Sequence, residues 1–393
     1  MKAFYCLPFA FMILIACQKN NTSEAETSKT YSYWVSDKES KNFSASSLQF
    51  LARLTVDTLS KYTYTDVKGI EIIYNTMDAF KNPIEASGML LIPEGFEGMG
   101  PLISYQHATL SSDADAPTNS GLGANELSIA AVMSGIGAVV AVADYVGYGH
   151  SSDHKHPYQH KENTAQTTYD FLLAVEEYLH HQKIRTNGAL YLTGYSQGGH
   201  ATLSLHQKIE TENKFQVTHS IPGAGAYNLT LLTQEILSKD EDLPFMSGYV
   251  WVLEVYNRIY PTLNRPLSFY FKEPYASRLS SLTAFNASMD TTLIPQNPQK
   301  LFKKETIDDF LSGADTEWIE IMHQNSVHDW SPKAPITLFH GTADDYIYPS
   351  NPESAFSQIK ANGGDIHYIP LEDLDHHEAF APFLLGALKI IFQ

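Results

Sequence analysis

A serine set among glycines stands where an apolar run stops. Residues 189–193, Ala-Leu-Tyr-Leu-Thr, have the character of a strand. Gly194-Tyr195-Ser196-Gln197-Gly198 follows, then Gly199 and an amphipathic segment. The pattern is G-x-S-x-G, and between a strand and a helix it holds a serine hydroxyl up at the C-terminal edge of a sheet. Side chains at 194 and 198 would collide with neighbouring backbone, which explains the glycines. Gly199 lets the helix cross closely over the strands. A serine hydroxyl is a poor nucleophile until a base takes its proton. The chemistry therefore asks for a histidine, and for an acid that fixes the histidine's tautomer. With this motif the acid follows a later strand and the histidine follows the last one. Residues 338–349, Leu-Phe-His-Gly-Thr-Ala-Asp-Asp-Tyr-Ile-Tyr-Pro, offer Asp344 and Asp345; residues 374–379, Leu-Asp-His-His-Glu-Ala, offer His376 and His377. A tetrahedral intermediate would also need two N–H donors, and the backbone of Gln197, just after the serine, supplies one.

These side chains are far apart in sequence, so a sheet must bring them together. Strand-like segments occur at 70–74, 86–92, 101–106, 138–143, 189–193, 217–221, 336–339 and 366–369. The run at 138–143 has no polar face, as expected of a strand covered on both sides. Residues 164–181 carry Tyr169, Leu172, Leu173 and Leu179 at helical spacing, with Glu176 and Glu177 opposite. A closing helix spans 378–392. This alternation predicts an α/β fold with a mainly parallel sheet and helices on both faces. It is interrupted at 226–330, which reads as an inserted helical cap. There Phe245, Tyr249, Leu253, Tyr256 and Tyr260 fall at helical spacing before Pro261; most of these aromatics are expected to form the cap's own core. The hydrolase-like core would then be 46–225 with 331–393.

Four features in order (the elbow at Ser196, the acid segment, the histidine segment and a turn at 144–151) resemble the α/β-hydrolase superfamily, in a secretory-lipase-like bacterial branch. The resemblance covers residues 65–393. The acid segment resembles H-G-x-x-D-x-x-V-P, which selects Asp344 over Asp345. The histidine segment resembles the D-H-x-x-A that opens the last helix of related esterases, which selects His376 over His377. The loop Tyr105-Gln-His-Ala-Thr-Leu110 resembles the H-G-x oxyanion loop and makes Thr109 the second donor. Ala108 stands there where glycine is usual, an added strain if that position needs a positive φ. Asp144-Tyr-Val-Gly-Tyr-Gly-His-Ser151 resembles the D-x-x-G-x-G-x-S turn, whose aspartate is a structural hydrogen-bond hub. His156-Pro157-Tyr158 before the long helix is also similar to that branch. The resemblance implies a carboxylic ester hydrolase working through Ser196, His376 and Asp344 and an acyl-enzyme, on a small-molecule or lipid ester, with no cofactor. A serine peptidase on the same fold and a catalytically silent surface binding protein are the alternatives. No propeller-like repeat array or acidic pair for a substrate amine speaks for the first, and three matched groups speak against the second. His154, His156 and His160 lack an organised carboxylate set, so no metal site is expected; His200, one turn past Ser196, is expected to pack under the elbow.

The chain of 393 residues is 43% hydrophobic with a formal charge of −18, which disfavours nucleic acid as a partner. Residues 1–16 are built like a signal peptide, with Lys2 ahead of a hydrophobic stretch too short to span a bilayer comfortably. Leu14-Ile15-Ala16-Cys17 resembles the lipobox of bacterial lipoproteins. That resemblance implies lipidation of Cys17, attachment to a membrane and, with Gln18 next, an outer-membrane lipoprotein of the cell envelope. Several acyl chains on one cysteine give lasting attachment where one chain is marginal. Residues 17–45, rich in Asn, Thr, Ser, Glu and Lys, read as a flexible tether. The other cysteine, Cys6, lies inside the signal, so the mature chain has no internal disulfide.

Overall fold

In the computed structural model, residue 1 and residues 32–97, 100–123, 126–282 and 291–392 are described. The signal peptide and Cys17 lie outside the described residues. The strands are β1 (Trp34–Phe43), β2 (Val67–Met77), β3 (Pro83–Pro93), β4 (Leu102–Gln106), β5 (Val139–Ala143), β6 (Leu190–Tyr195), β7 (His219–Gly223), β8 (Ile336–Gly341) and β9 (Ile366–Leu371). They form one sheet in the order β1-β2-β3-β5-β4-β6-β7-β8-β9. The first three join antiparallel, and β5, β4, β6, β7, β8 and β9 run parallel. All five residues of β5 are buried. One face is covered by the helices Ala45–Thr55, Glu126–Gly135 and Phe380–Ile391, the other by Lys161–His181 and Gln197–Glu212. This is the expected α/β sandwich.

The expected tether does not run as far as residue 45. Its later part, Trp34–Phe43, is the edge strand β1, with Lys38 opposite Glu71 and Glu39 opposite Ile70. Only Phe43 in it is buried. This edge strand, with one covered residue, carries Ser36, Asp37, Lys38, Glu39, Ser40 and Lys41 and shows no apolar alternation, so its composition matches that of a linker.

Between β7 and β8 the described residues are helical, chiefly Leu229–Ser238, Met246–Ile259, Lys304–Leu311 and Thr316–Asn325. The helix Met246–Ile259 stops just before Pro261, whose ring and missing N–H cannot continue it. Trp251, Leu253, Tyr256, Phe310 and Trp318 are buried in a core of this insertion's own. Tyr158 and Ile347, from outside the insertion, join that core and mark the seam between the two parts.

The strand order decides where a site can form. After β4 the chain moves to one side, to β5, and then returns to β6 on the other side of β4. In an open α/β sheet such a reversal leaves a crevice beyond the carboxyl ends of the strands. Gln106 at the end of β4 pairs with Gly194 near the end of β6, so the loop after β4 and the turn after β6 leave the sheet side by side.

Candidate active site

The turn after β6 is tight. Ser196 has φ 56° and ψ −117°, a strained conformation for a residue with a Cβ. Its N–H donates to Gly223 O at 2.9 Å, tying the turn to β7. A Cβ on Gly198 would lie 2.0 Å from Gln106 O, and one on Gly194 2.4 Å from the same oxygen. Neither position can hold a larger residue while β4 and β6 stay paired. The Ser196 hydroxyl opens into a cleft of about 650 Å³ lined by Leu54, Thr109, Glu126, Phe245, Tyr346 and His376, among others.

His376 approaches from the loop after β9. Its Nε2 is 2.9 Å from Ser196 Oγ, and its Nδ1 is 2.8 Å from Asp344 Oδ2. The loops carrying Asp344 and His376 are adjacent because β8 and β9 pair through Gly341 and Leu371. Ala343 N–H donates to Leu374 O at 3.1 Å, and the Tyr195 hydroxyl donates to His376 O at 2.8 Å. His377 is exposed, 3.4 Å from the Tyr346 hydroxyl, and Asp345 is exposed. Of each sequence pair, then, one member meets Ser196 or its partner, and it is the one the resemblance selects.

Asp344 is buried but well supplied with donors. Burial alone would raise its pKa. Hydrogen bonds from His340 and His376 outweigh that and hold the carboxyl below the ordinary carboxylate range. The backbone N–H groups of Tyr346 and Ile347 add two more donors, at 2.9 and 2.8 Å to Oδ1. His340 Nε2 lies 2.7 Å from Ile347 O and 3.2 Å from Asp344 Oδ2, which places its proton on Nε2. Tyr346 stacks on the His376 ring at 4.9 Å and 12° and on Phe245 of the insertion at 4.9 Å and 10°. Sequence reasoning did not single out His340, Tyr346 or Glu126. His340 sits inside the matched H-G-x-x-D pattern and could have been flagged there; nothing local marks the other two.

Gln197 is the first residue of its helix, where backbone N–H groups have no intrahelical acceptor. Thr109 lines the same cleft. Ala108 is not among the residues of positive φ, so the alanine carries no left-handed strain. Its N–H is instead taken by the Glu126 carboxylate, which also accepts from the Tyr105 hydroxyl. Burial lifts the Glu126 carboxyl above its usual range, against those two hydrogen bonds. Asp144 is fully buried and accepts from Thr118 N–H at 3.0 Å, the Thr118 hydroxyl at 2.6 Å and the Ser87 hydroxyl. It thus ties β3, the 118 loop and the turn at 144–151 together and does not touch Ser196. His160 caps the helix Lys161–His181 by accepting from Asn163 N–H, and His200 is buried with Nε2 2.8 Å from Asn325 O.

Sheet order, elbow and helical insertion together define the α/β-hydrolase fold. Solved structures agree. A protein of Legionella pneumophila superposes with TM-score 0.81 at 22% identity, covering 91% of this chain and 97% of the other. The rice cell wall degrading esterase LipA of Xanthomonas oryzae gives 0.77 at 21%, with 92% and 97% covered. Candida antarctica lipase A gives 0.67 at 15%, with 93% and 84% covered. No curated protein matches the chain. The secretory lipase family model matches residues 112–387, and the chain belongs to that family. It is accordingly an ester hydrolase of the lipase and esterase kind.

Proposed function

We propose that this protein cleaves carboxylic esters by acyl transfer to Ser196, with His376 as proton carrier and Asp344 as its partner. The observation that carries the reading is the line from the Ser196 hydroxyl to His376 Nε2, 2.9 Å, and from His376 Nδ1 to Asp344, 2.8 Å, at the floor of an open cleft. An ionised Asp344 accepts a hydrogen bond from Nδ1–H, which fixes the tautomer and leaves Nε2 free to take the serine proton. Ser196 Oγ attacks the ester carbonyl, and the developing oxyanion is met by the N–H groups of Gln197 and Thr109. His376 then gives its proton to the leaving alcohol. Water, activated by the same imidazole, hydrolyses the acyl-enzyme. Leu51, Leu54, Ile129, Phe245 and Phe380 line the cleft, which suits an apolar acyl or aryl portion.

Labelling with a fluorophosphonate tests this. The wild-type protein takes one label at Ser196, and Ser196→Ala takes none. Turnover of p-nitrophenyl esters falls at least about 10⁴-fold in the variant. Its melting temperature stays close to wild type, because the turn's strain is carried by backbone; a labelled Ser196→Ala would refute the assignment.

The insertion at 226–330 serves as the cap over this cleft in the same proposal. The family's secretory description accords with an exported protein. Among the described residues no helix is long and apolar enough to cross a membrane. The lipobox-like Leu14–Cys17 supports attachment through lipid on Cys17. Cells fed an alkyne fatty acid should label the wild-type chain and not Cys17→Ser; equal labelling of both would dispose of the anchor.

A further inference from the structure

The two proposed oxyanion donors, Thr109 and Gln197, come from different segments, yet both side chains are held by one short turn. Gln197 Nε2 lies 2.8 Å from His156 Nε2. His156 Nδ1 lies 2.7 Å from Val146 O, which puts its proton on Nδ1 and leaves Nε2 as the acceptor for the amide. Burial keeps this imidazole neutral, with its pKa pushed down to about 3, so the acceptor lone pair persists across the working pH range. The other end of the amide, Gln197 Oε1, is buried without a partner among the described residues. His156 is thus the group that fixes the polar head of Gln197. Two residues on, the Tyr158 hydroxyl lies 3.1 Å from the Thr109 hydroxyl.

The turn is itself rigidly backed. Tyr158 stacks on Trp251 of the insertion at 4.2 Å and 5°, and His156 packs against Trp251 at 5.6 Å and Tyr148 at 4.8 Å. A Cβ on Gly147 would lie 2.5 Å from His156 N, so the turn at 144–151 presses directly on the backbone of this segment.

We propose that His156 and Tyr158 form a clamp that sets the separation and direction of the two oxyanion donors, His156 through the Gln197 side chain and Tyr158 through the Thr109 hydroxyl. Both are positioning residues, since neither is in line to touch the reacting atoms. Donors act only when aimed at the place where charge develops, so loosening them costs transition-state binding more than ground-state binding. The inference rests on Ser196 being the nucleophile and goes beyond it by assigning what holds the oxyanion site.

A double-mutant cycle tests the Tyr158 arm with near-isosteric changes. Tyr158→Phe and Thr109→Val each remove one hydroxyl and leave the backbone donor in place. Each is expected to lower kcat about 10-fold with KM changed less than about 2-fold, a fraction of what deleting a donor costs. The affinity of a boronic acid, which mimics the tetrahedral state, should fall in parallel. The double variant should be no worse than either single one, because both delete the same interaction. Thr109→Ser, which keeps the hydroxyl, should restore kcat. Gln197→Met tests the His156 arm in the same way. Fluorophosphonate labelling of the wild type separates the two levels: no label would sink the nucleophile and the clamp together. A labelled wild type whose variants keep full boronate affinity, or lose only KM, would sink the clamp alone.

Discussion

Asp344 and Asp144 are both buried aspartates at strand ends, and their surroundings push them in opposite directions. Asp344 is held below the ordinary range, by imidazole donors that outweigh burial. Asp144 is raised to about 6, since burial outweighs the hydrogen bonds of Ser87 and Thr118. The consequences for stability have opposite signs. Asp344 stabilises the fold above its unfolded pKa, and that contribution is lost as pH falls. Asp144 contributes stability that is fully present below its unfolded value of about 4 and is lost as pH rises towards about 6. Asp144→Asn removes this second dependence while keeping an acceptor for Thr118 N–H. The melting temperature of the variant relative to wild type should therefore climb between pH 4 and pH 6.5 and level off above; a constant difference across that range would contradict the raised pKa. Because Asp144 lies at the base of the turn that presses on His156, its protonation bears on the scaffold and leaves the proposed proton path at Ser196 untouched.

Among the elements, the pair β4 and β6 carries a tight steric requirement. Gly198 leaves no room for a methyl group against the carbonyl of Gln106. Gly198→Ala must push the helix Gln197–Glu212 off the end of β4, moving both proposed oxyanion segments. A loss of about 3 kcal/mol in unfolding free energy, read by urea denaturation, is expected together with a large loss of esterase activity. Much of this level could be read from the sequence. The elbow, the uninterrupted apolar run of β5, the helix Lys161–His181 and the order acid then histidine all announce themselves locally, by periodicity or by residue type at fixed spacing. β1 did not, because an edge strand with one buried residue has the composition of a linker. Glu126 did not either: its partners Tyr105 and Ala108 stand some twenty residues away on another element, and no local pattern encodes a contact across that gap. The choice of His376 over its neighbour came from likeness to other chains, not from any property that distinguishes two adjacent histidines.

Viewed as a whole molecule, the sheet and the helical insertion both line the cleft at Ser196. Phe245, at the start of the helix Met246–Ile259, stacks on Tyr346, and Tyr346 stacks on His376. The Tyr249 hydroxyl, from the same helix, donates to Tyr346 O at 2.7 Å. Trp251, two residues further on, backs Tyr158. One helix of the insertion therefore touches the supports of both the proposed base and the proposed oxyanion donors. Phe245→Ala should lower kcat as well as KM-linked binding, by about 3- to 10-fold in kcat, since an aromatic pair is worth about 1 kcal/mol beyond its buried area. It should lower kcat less than Tyr346→Ala, which removes the ring that lies on the imidazole itself. Steady-state kinetics on one ester gives the ordering, and a change confined to KM would mean the insertion only shapes the entrance.

The reversal of strand order between β4 and β6 has a consequence for how such a molecule can change. The crevice is a product of chain routing, set before any particular side chain is chosen, and the hydroxyl, imidazole and carboxylate are delivered to it by strand ends. The insertion whose Phe245 and Ser247 line it arrives as one continuous stretch between β7 and β8. A lineage can rewrite that stretch to admit different guests without rerouting the floor, provided the few rings that reach down from it are kept in place.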